Sequence, residues 1–497
     1  MNLREKVFGA RRTTPLRVAV IGAGAGGVAM GVGLKRMGIG DFTIFEQQSG
    51  IGGTWWDNVY PGAEVDTPQP LYSFSFAPFD FSRTHIKQAE LQVYLQTVAD
   101  RFGLGPHFRF NTAVERAEWD ESSHTWEVST SDGKSARFDV VVSAVGLLNH
   151  PKYPDWPGLE LFQGEKWHSS RWPKGADLHG KRVAVVGTGS TSAQMVPAIA
   201  PDVEQLYIFQ RQPGWLMPKL ERDLSPEERA KMMQPWHHRK VRMQQWWQYE
   251  KGLGRALIEG SKANVRAQQA CVAYIEKTLA DRPDLAKMVT PDYPFGGKRP
   301  MKDSNFYPTL MRENVELVPR AVTEVTANGI IDDAGVEREI DVLVMCTGFT
   351  PATFLATMDI KGLDGVSIHD FWGGDCRAFL GITVPKFPNF YMLYGPNTNM
   401  VGMLMHERQV RFITSNLKRM VREGVTAIEA RPAVADAFDR YLQRRLSRTV
   451  VGRHPEVHSY GRAPSGRDVI AWGQGMTVYS ALTRSTPRLS STARRLS

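Results

Sequence analysis

Cysteine is scarce in this chain: Cys271, Cys346 and Cys376 are the three in 497 residues, and no two form a C-x-x-C pair. A disulfide framework, a zinc site and a redox-active dithiol therefore lack support, and no metal is expected. Long apolar runs are missing as well. No window approaches the roughly eighteen apolar residues a membrane-spanning helix needs, and "MNLREKVFGARRTTPL" at the start holds basic residues but no apolar core or small-residue cleavage site of a secretory signal. The expected location is the cytoplasm. Concentrated charge of one sign is also absent. The formal charge is +9, yet its lysines and arginines are scattered, so no nucleic-acid partner is expected. What remains is a globular composition, long enough for two or three cored domains, with 45 glycines whose placement is informative.

"LRVAVIGAGAGGVAMGVGLKRMG" begins with a short apolar strand, continues through Gly22, Gly24 and Gly27 in G-x-G-x-x-G spacing, and ends in residues at helical spacing. The first glycine permits a tight turn, the second lets backbone approach a pyrophosphate at the helix N-terminus, and the third allows close helix-to-strand packing. A second strand, "FTIFE", ends in Glu46, 24 positions after Gly22, where a carboxylate can accept both ribose hydroxyls of an adenosine. The pattern recurs in "KRVAVVGTGSTSAQM" with Gly187, Gly189 and Ala193. Its next strand ends in Arg211, again 24 positions beyond the first glycine. A guanidinium there pairs with a 2'-phosphate that a carboxylate would repel, so this site is expected to prefer NADP over NAD. One acid-bearing and one arginine-bearing site predict a flavoprotein holding FAD and using NADPH, and the missing cysteine pair excludes the disulfide reductases.

After Glu46 comes "GIGGTWWDNVYPGAEVDTPQPLYSFSF", in which Gly52 and Gly53 let backbone lie against a planar ring and Trp55 or Trp56 can wall it. "GGTWWDNVYPGAEVD" resembles the flavin-side motif of type I Baeyer-Villiger monooxygenases, class B flavoprotein monooxygenases. "FQGEKWHSSRWP" is similar to that family's fingerprint, F-x-G-x-x-x-H-x-x-x-W-P, at Phe162, Gly164, His168, Trp172 and Pro173. "FGGKRPMKDSNFYPTLMRENVELV", "DVLVMCTGF" and "LGITVPKFPNFYMLYGPNTN" extend the likeness from about residue 16 to about residue 475.

The resemblance implies an α/β fold of two Rossmann-like dinucleotide-binding domains, for FAD and NADP, with a helical insert. The boundaries it suggests are an N-terminal arm at 1–15, FAD-domain parts at 16–150 and 347–482, NADP-domain parts at 151–214 and 298–346, the insert at 215–297 and a disordered tail at 483–497. It implies that Gly53, Thr54, Trp55, Asp66 and Tyr72 join Gly22, Gly24, Gly27 and Glu46 around FAD. Gly187, Gly189, Ser190, Thr191, Arg211, Lys298 and Arg299 would hold NADP, with Trp472 on a loop folding over it. The implied reaction uses reduced flavin and O2 to form a C4a-peroxide that attacks a ketone, giving an ester or lactone. An anionic peroxide calls for a cation that keeps its proton. By resemblance this is Arg299, held by Asp66. The alternative is a flavin-dependent S- or N-oxidising monooxygenase.

Two features keep more than one reading. Trp236, Trp246 and Trp247, with Met232, Met233 and Met243, either form core, line a substrate entrance, or present a basic aromatic face to a membrane surface. The cluster "FQGEKWHSSRWPKG" lies between the two nucleotide halves, so it is read as a hinge in which His168 hydrogen-bonds across the linker. The chain is expected to act as a monomer or homodimer.

Overall fold

The computed structural model describes residues 14–351 and 353–496. Of the arm expected at 1–15, all but Thr14 and Pro15 lies outside the described residues. Among those described, two five-stranded parallel sheets organise the chain. The first runs, edge to edge, through Phe390–Met392, Val140–Ser143, Val18–Ile21, Phe42–Phe45 and Phe108–Arg109. The second runs through Val315–Val318, Gln205–Phe209, Arg182–Val186, Val342–Met345 and Glu165–His168. Three of their interior strands, VAVI, VVVS and VLVM, are buried at every residue. Valine-rich runs of this kind suit parallel strands covered on both faces. The result is an α/β fold of two Rossmann-like domains with a helical insert. Each domain takes strands from distant parts of the sequence.

In each domain the glycine loop leads from the central strand into a helix, Ala25–Arg36 in the first and Ser190–Ile199 in the second. The first helix lies against the long helix Gly402–Glu423. A Cβ at Gly33 would fall 2.6 Å from Val410 Cγ1, so the missing side chain sets how closely these helices approach.

The insert is helical, from Pro226–Met232 through Pro235–Lys251, Leu253–Ala256 and Lys262–Thr278 to Pro283–Val289. Ser225 and Glu228 close a capping box at its first helix. The chain leaves and re-enters side by side, since Leu216–Met217 pairs in parallel with Met301–Lys302. Of the residues read as core or entrance, Met232 is buried and Trp246 half-buried. Met233, Trp236, Met243 and Trp247 stand on the surface instead. Among the described residues no helix is long and apolar enough to cross a membrane.

The expectation of a disordered tail is corrected. Met476–Ser485 is a helix, and Ser491–Arg494 forms an antiparallel strand against Ala427–Ala430. Backbone pairing supplies the order, reinforced by Arg419 donating to Ser491 Oγ at 2.9 Å and by an Arg494–Glu121 ion pair.

Candidate functional site

Both glycine loops are shaped by contacts that side chains would break. Gly22 has φ +105°, and a Cβ there would lie 2.8 Å from the Ala144 carbonyl oxygen; one at Gly27 would lie 1.9 Å from the Gly22 oxygen. In the second loop Gly187 has φ +111°, with the Cys346 oxygen 2.4 Å from the would-be Cβ. The helices that follow take Gly24 and Gly189 as N-cap residues, with no side-chain cap and no acid in the first turn. Their N–H groups and dipoles are thus left for an external anion.

Behind the first loop the buried Glu46 carboxylate accepts from the backbone N–H groups of Ala23, at 2.7 Å, and Gln48, at 2.9 Å. Burial raises its pKa against the pull of these donors. Each oxygen keeps a lone pair for a ribose hydroxyl. Gly53, at φ +57°, crosses so close to Gly24 that a Cβ would sit 2.9 Å from its Cα. The short helix Thr54–Asp57 follows and sets the Trp55 ring edge-on to Tyr72, centroids 5.8 Å apart. This side fits a dinucleotide ending in a flat ring system.

Gly187, Gly189, Ser190 and Thr191 line a cavity of about 1280 Å³. A Cβ on Gly189 would meet nothing within 4 Å, so the loop backbone is open to it. Arg211 and Lys298 share the same cavity. Burial, and then the Arg211 charge, push the Lys298 ammonium down to about 8. Two cations lining one cavity can together accept a dianion.

Arg299 enters this cavity from the strand-return segment and donates to Asp66 Oδ2 at 2.7 Å. The arginine side chain is 43% exposed and the acid 17%, so the guanidinium fronts the cavity with the carboxylate behind it. Asp66 raises the Arg299 pKa further, so the charge is permanent. Burial opposes ionisation of Asp66, but Arg299, Lys302 and Lys219 together hold its pKa below the usual range. The fully buried Lys219 also pairs with Glu64. Tyr460, Tyr394 and Tyr249 are close enough to act on the Arg299 charge.

His168 ends the edge strand of the second sheet and reaches the turn that follows its neighbour, Val342–Met345, so it ties two strand ends of one sheet rather than spanning a connector. Its Nδ1 lies 3.2 Å from the Ser170 N–H and its Nε2 lies 2.9 Å from the Gly348 oxygen, which assigns the proton to Nε2. Burial lowers its pKa, favouring this neutral form. Phe162 is core, and Gly164 lets the chain pass within 2.4 Å, measured from a would-be Cβ, of the Asp341 oxygen. Trp172 packs edge-on to Trp167, and Pro173 follows it. The neighbouring Arg171 reaches Asp57 on the first domain at 3.7 Å.

Trp472 is placed otherwise than expected. It is 1% exposed, stacked on Phe438 and edge-on to Tyr479, and Asn397 Nδ2 holds the residues before it by donating to the Asp468 and Ala471 oxygens at 3.0 Å each. Pro455, Val457, His458 and Tyr460 line the cavity, and Trp472 does not. Sequence reasoning missed this segment, and also Lys219, Lys302 and Tyr249. Only Lys302 left a signal, in "KRPMKD" beside Arg299.

The flavin-binding monooxygenase-like (FMO-like) family model matches residues 15–238. The chain is 39% identical over 462 residues to a Baeyer-Villiger monooxygenase of Streptomyces coelicolor, covering 92% of this chain and 88% of the relative. It is 36% identical over 482 residues to a Baeyer-Villiger monooxygenase of Pseudomonas aeruginosa, covering 94% and 89%. Among solved structures, an oxidised steroid monooxygenase bound to NADP matches with a TM-score of 0.87 and 28% identity, covering 97% of this chain and 100% of that one. A closed cyclohexanone monooxygenase matches at 0.84 and 31%, with the same coverage. With two glycine-loop domains and an arginine–aspartate pair between them, the chain belongs to the Baeyer-Villiger monooxygenases.

Proposed function

We propose that this chain is an FAD- and NADPH-dependent monooxygenase that inserts one oxygen atom of O2 into an apolar ketone, giving an ester or lactone and water. The carrying observation is Arg299, anchored on Asp66 at 2.7 Å and opening into the cavity that holds the second glycine loop. Bound flavin, reduced by NADPH, supplies the oxygen activation. Ser190 and Thr191 start an uncapped helix that receives the pyrophosphate of NADPH, while Arg211 and Lys298 receive its 2'-phosphate. Glu46 and the first loop hold the adenosine and pyrophosphate of FAD, and Trp55 and Tyr72 border its ring.

Arg299 keeps a positive charge where the reacting oxygen is negative. Asp66 orients it, and Lys302 and Lys219 offset the charge Asp66 would otherwise bring to the site. Tyr249, Tyr394 and Tyr460 give this region aromatic walls, which suits an apolar ketone. The segment at 455–460 lines the same cavity and would shield bound coenzyme from water.

Arg299→Ala tests the reading. The variant is expected to retain FAD and to be reduced by NADPH, with ester formation lowered about a hundredfold or more. Ester formation at the native rate refutes the role of Arg299. A panel of linear, cyclic, aromatic and steroidal ketones, with sulfides and amines alongside, tests the substrate class; oxidation of the heteroatoms alone refutes it.

A further inference from the structure

The helix Pro235–Lys251 has two unlike sides. Its inner side buries His238 and Arg242, and Arg242 pairs with Glu407 at 3.1 Å and donates to the Pro70 oxygen at 2.6 Å. Glu250 also turns inward, accepting from the Met476 N–H at 2.8 Å. On the outer side Trp236, Met243 and Trp247 are 65%, 57% and 47% exposed. They are separated by seven and four residues, which places them on one stripe of an α-helix. Arg239, Lys240 and Lys251 flank the stripe, all exposed. Among the described residues these three form no ion pair, and the outer side carries no carboxylate.

We infer that this outer face docks on an anionic lipid surface. Two large indole rings and a flexible thioether in water form an unusual exterior for a helix whose other side is packed against the protein. Tryptophan rings settle at the boundary between headgroups and acyl chains, and the flanking cations reach lipid phosphates while their stems cover apolar surface. The charge selects the occupant. Two-fold pairing with a second copy would set Arg239, Lys240 and Lys251 against their own equivalents, whereas an anionic bilayer meets all three at once. The stripe lies along a single helix, and its C-terminal end, at Trp247 and Lys251, borders a shallow open hollow with Gln244 and Gln248.

The test is sedimentation of the FAD-loaded full-length protein with phosphatidylcholine vesicles, with and without phosphatidylglycerol. Binding is expected only to the anionic vesicles and is expected to weaken with added salt. Combined Trp236→Ser, Met243→Ser and Trp247→Ser should abolish it, and combined Arg239→Gln, Lys240→Gln and Lys251→Gln should weaken it about a hundredfold. The flavin absorbance of both variants serves as the folding control. Three results overturn the inference: no binding to anionic vesicles at low salt, binding that survives loss of the three apolar side chains, or a concentration-dependent dimer that those substitutions dissolve.

Discussion

At the scale of the residue, the proposed coenzyme choice is assigned to Arg211 and Lys298, two cations that line the cavity of the second glycine loop. Each charge-assisted contact to a 2'-phosphate is worth about tenfold to a hundredfold in affinity. Arg211→Ala should therefore lower the preference for NADPH over NADH by that factor in flavin-reduction rates at limiting coenzyme, leaving NADH unaffected. Equal use of the two coenzymes by the native protein refutes the assignment. Lys298 adds a pH dependence. Its ammonium is charged below about 8 and loses its proton above that value, so NADP+ affinity should fall as pH rises through about 8. Calorimetric titration with NADP+ measures this, and Lys298→Arg should flatten the profile because a guanidinium stays charged. Arg211 was legible because its spacing from Gly187 repeats that of Glu46 from Gly22. His458, on the cavity wall beside Arg211, was not, since no local pattern ties residue 458 to residue 211.

At the scale of the element, two glycines of the same motif type have opposite jobs. Gly27 faces inward, and an alanine there would drive its Cβ to 1.9 Å from a main-chain oxygen that cannot step aside. Gly27→Ala should cost about 3 kcal/mol or more and yield protein with little bound flavin, seen in the ratio of flavin to protein absorbance. Gly189 has φ −80°, and its would-be Cβ meets nothing within 4 Å. Gly189→Ala should fold and hold FAD as the native chain does, but raise the KM for NADPH severalfold because the methyl faces the nucleotide cavity. Loss of flavin from this variant refutes the division of labour. The strand, turn and helix around each loop were legible because the physics is local: apolar run, glycine spacing and helix formers are contiguous. The strand Ser491–Arg494 was illegible for the opposite reason. Its polar side chains carry no burial pattern, and its order comes from backbone pairing with residues more than sixty positions earlier.

At the scale of the whole molecule, the sheets were readable as two domains, but their interleaving depends on distant returns such as Phe390–Met392 into the first sheet. Burial of three histidines outside the sheets is expected to give the fold an acid sensitivity that sequence does not reveal. His85, His238 and His406 are held neutral, with pKa values lowered to about 4, first by burial and, for His85 and His238, then by neighbouring cations. In the unfolded chain the same groups protonate near 6.5. Below that pH the unfolded state binds more protons than the folded state, so stability is full above about 6.5 and declines as pH falls toward 4. The slope is on the order of 1 kcal/mol per pH unit for each histidine. His238 isolates the effect. Neither of its ring nitrogens has a hydrogen-bond partner, so His238→Leu leaves no orphaned donor and removes one protonating group. Thermal midpoints of the native protein should drop between about pH 7 and about pH 5, and those of His238→Leu should drop less. An identical drop in both proteins means that His238 does not contribute to the acid sensitivity.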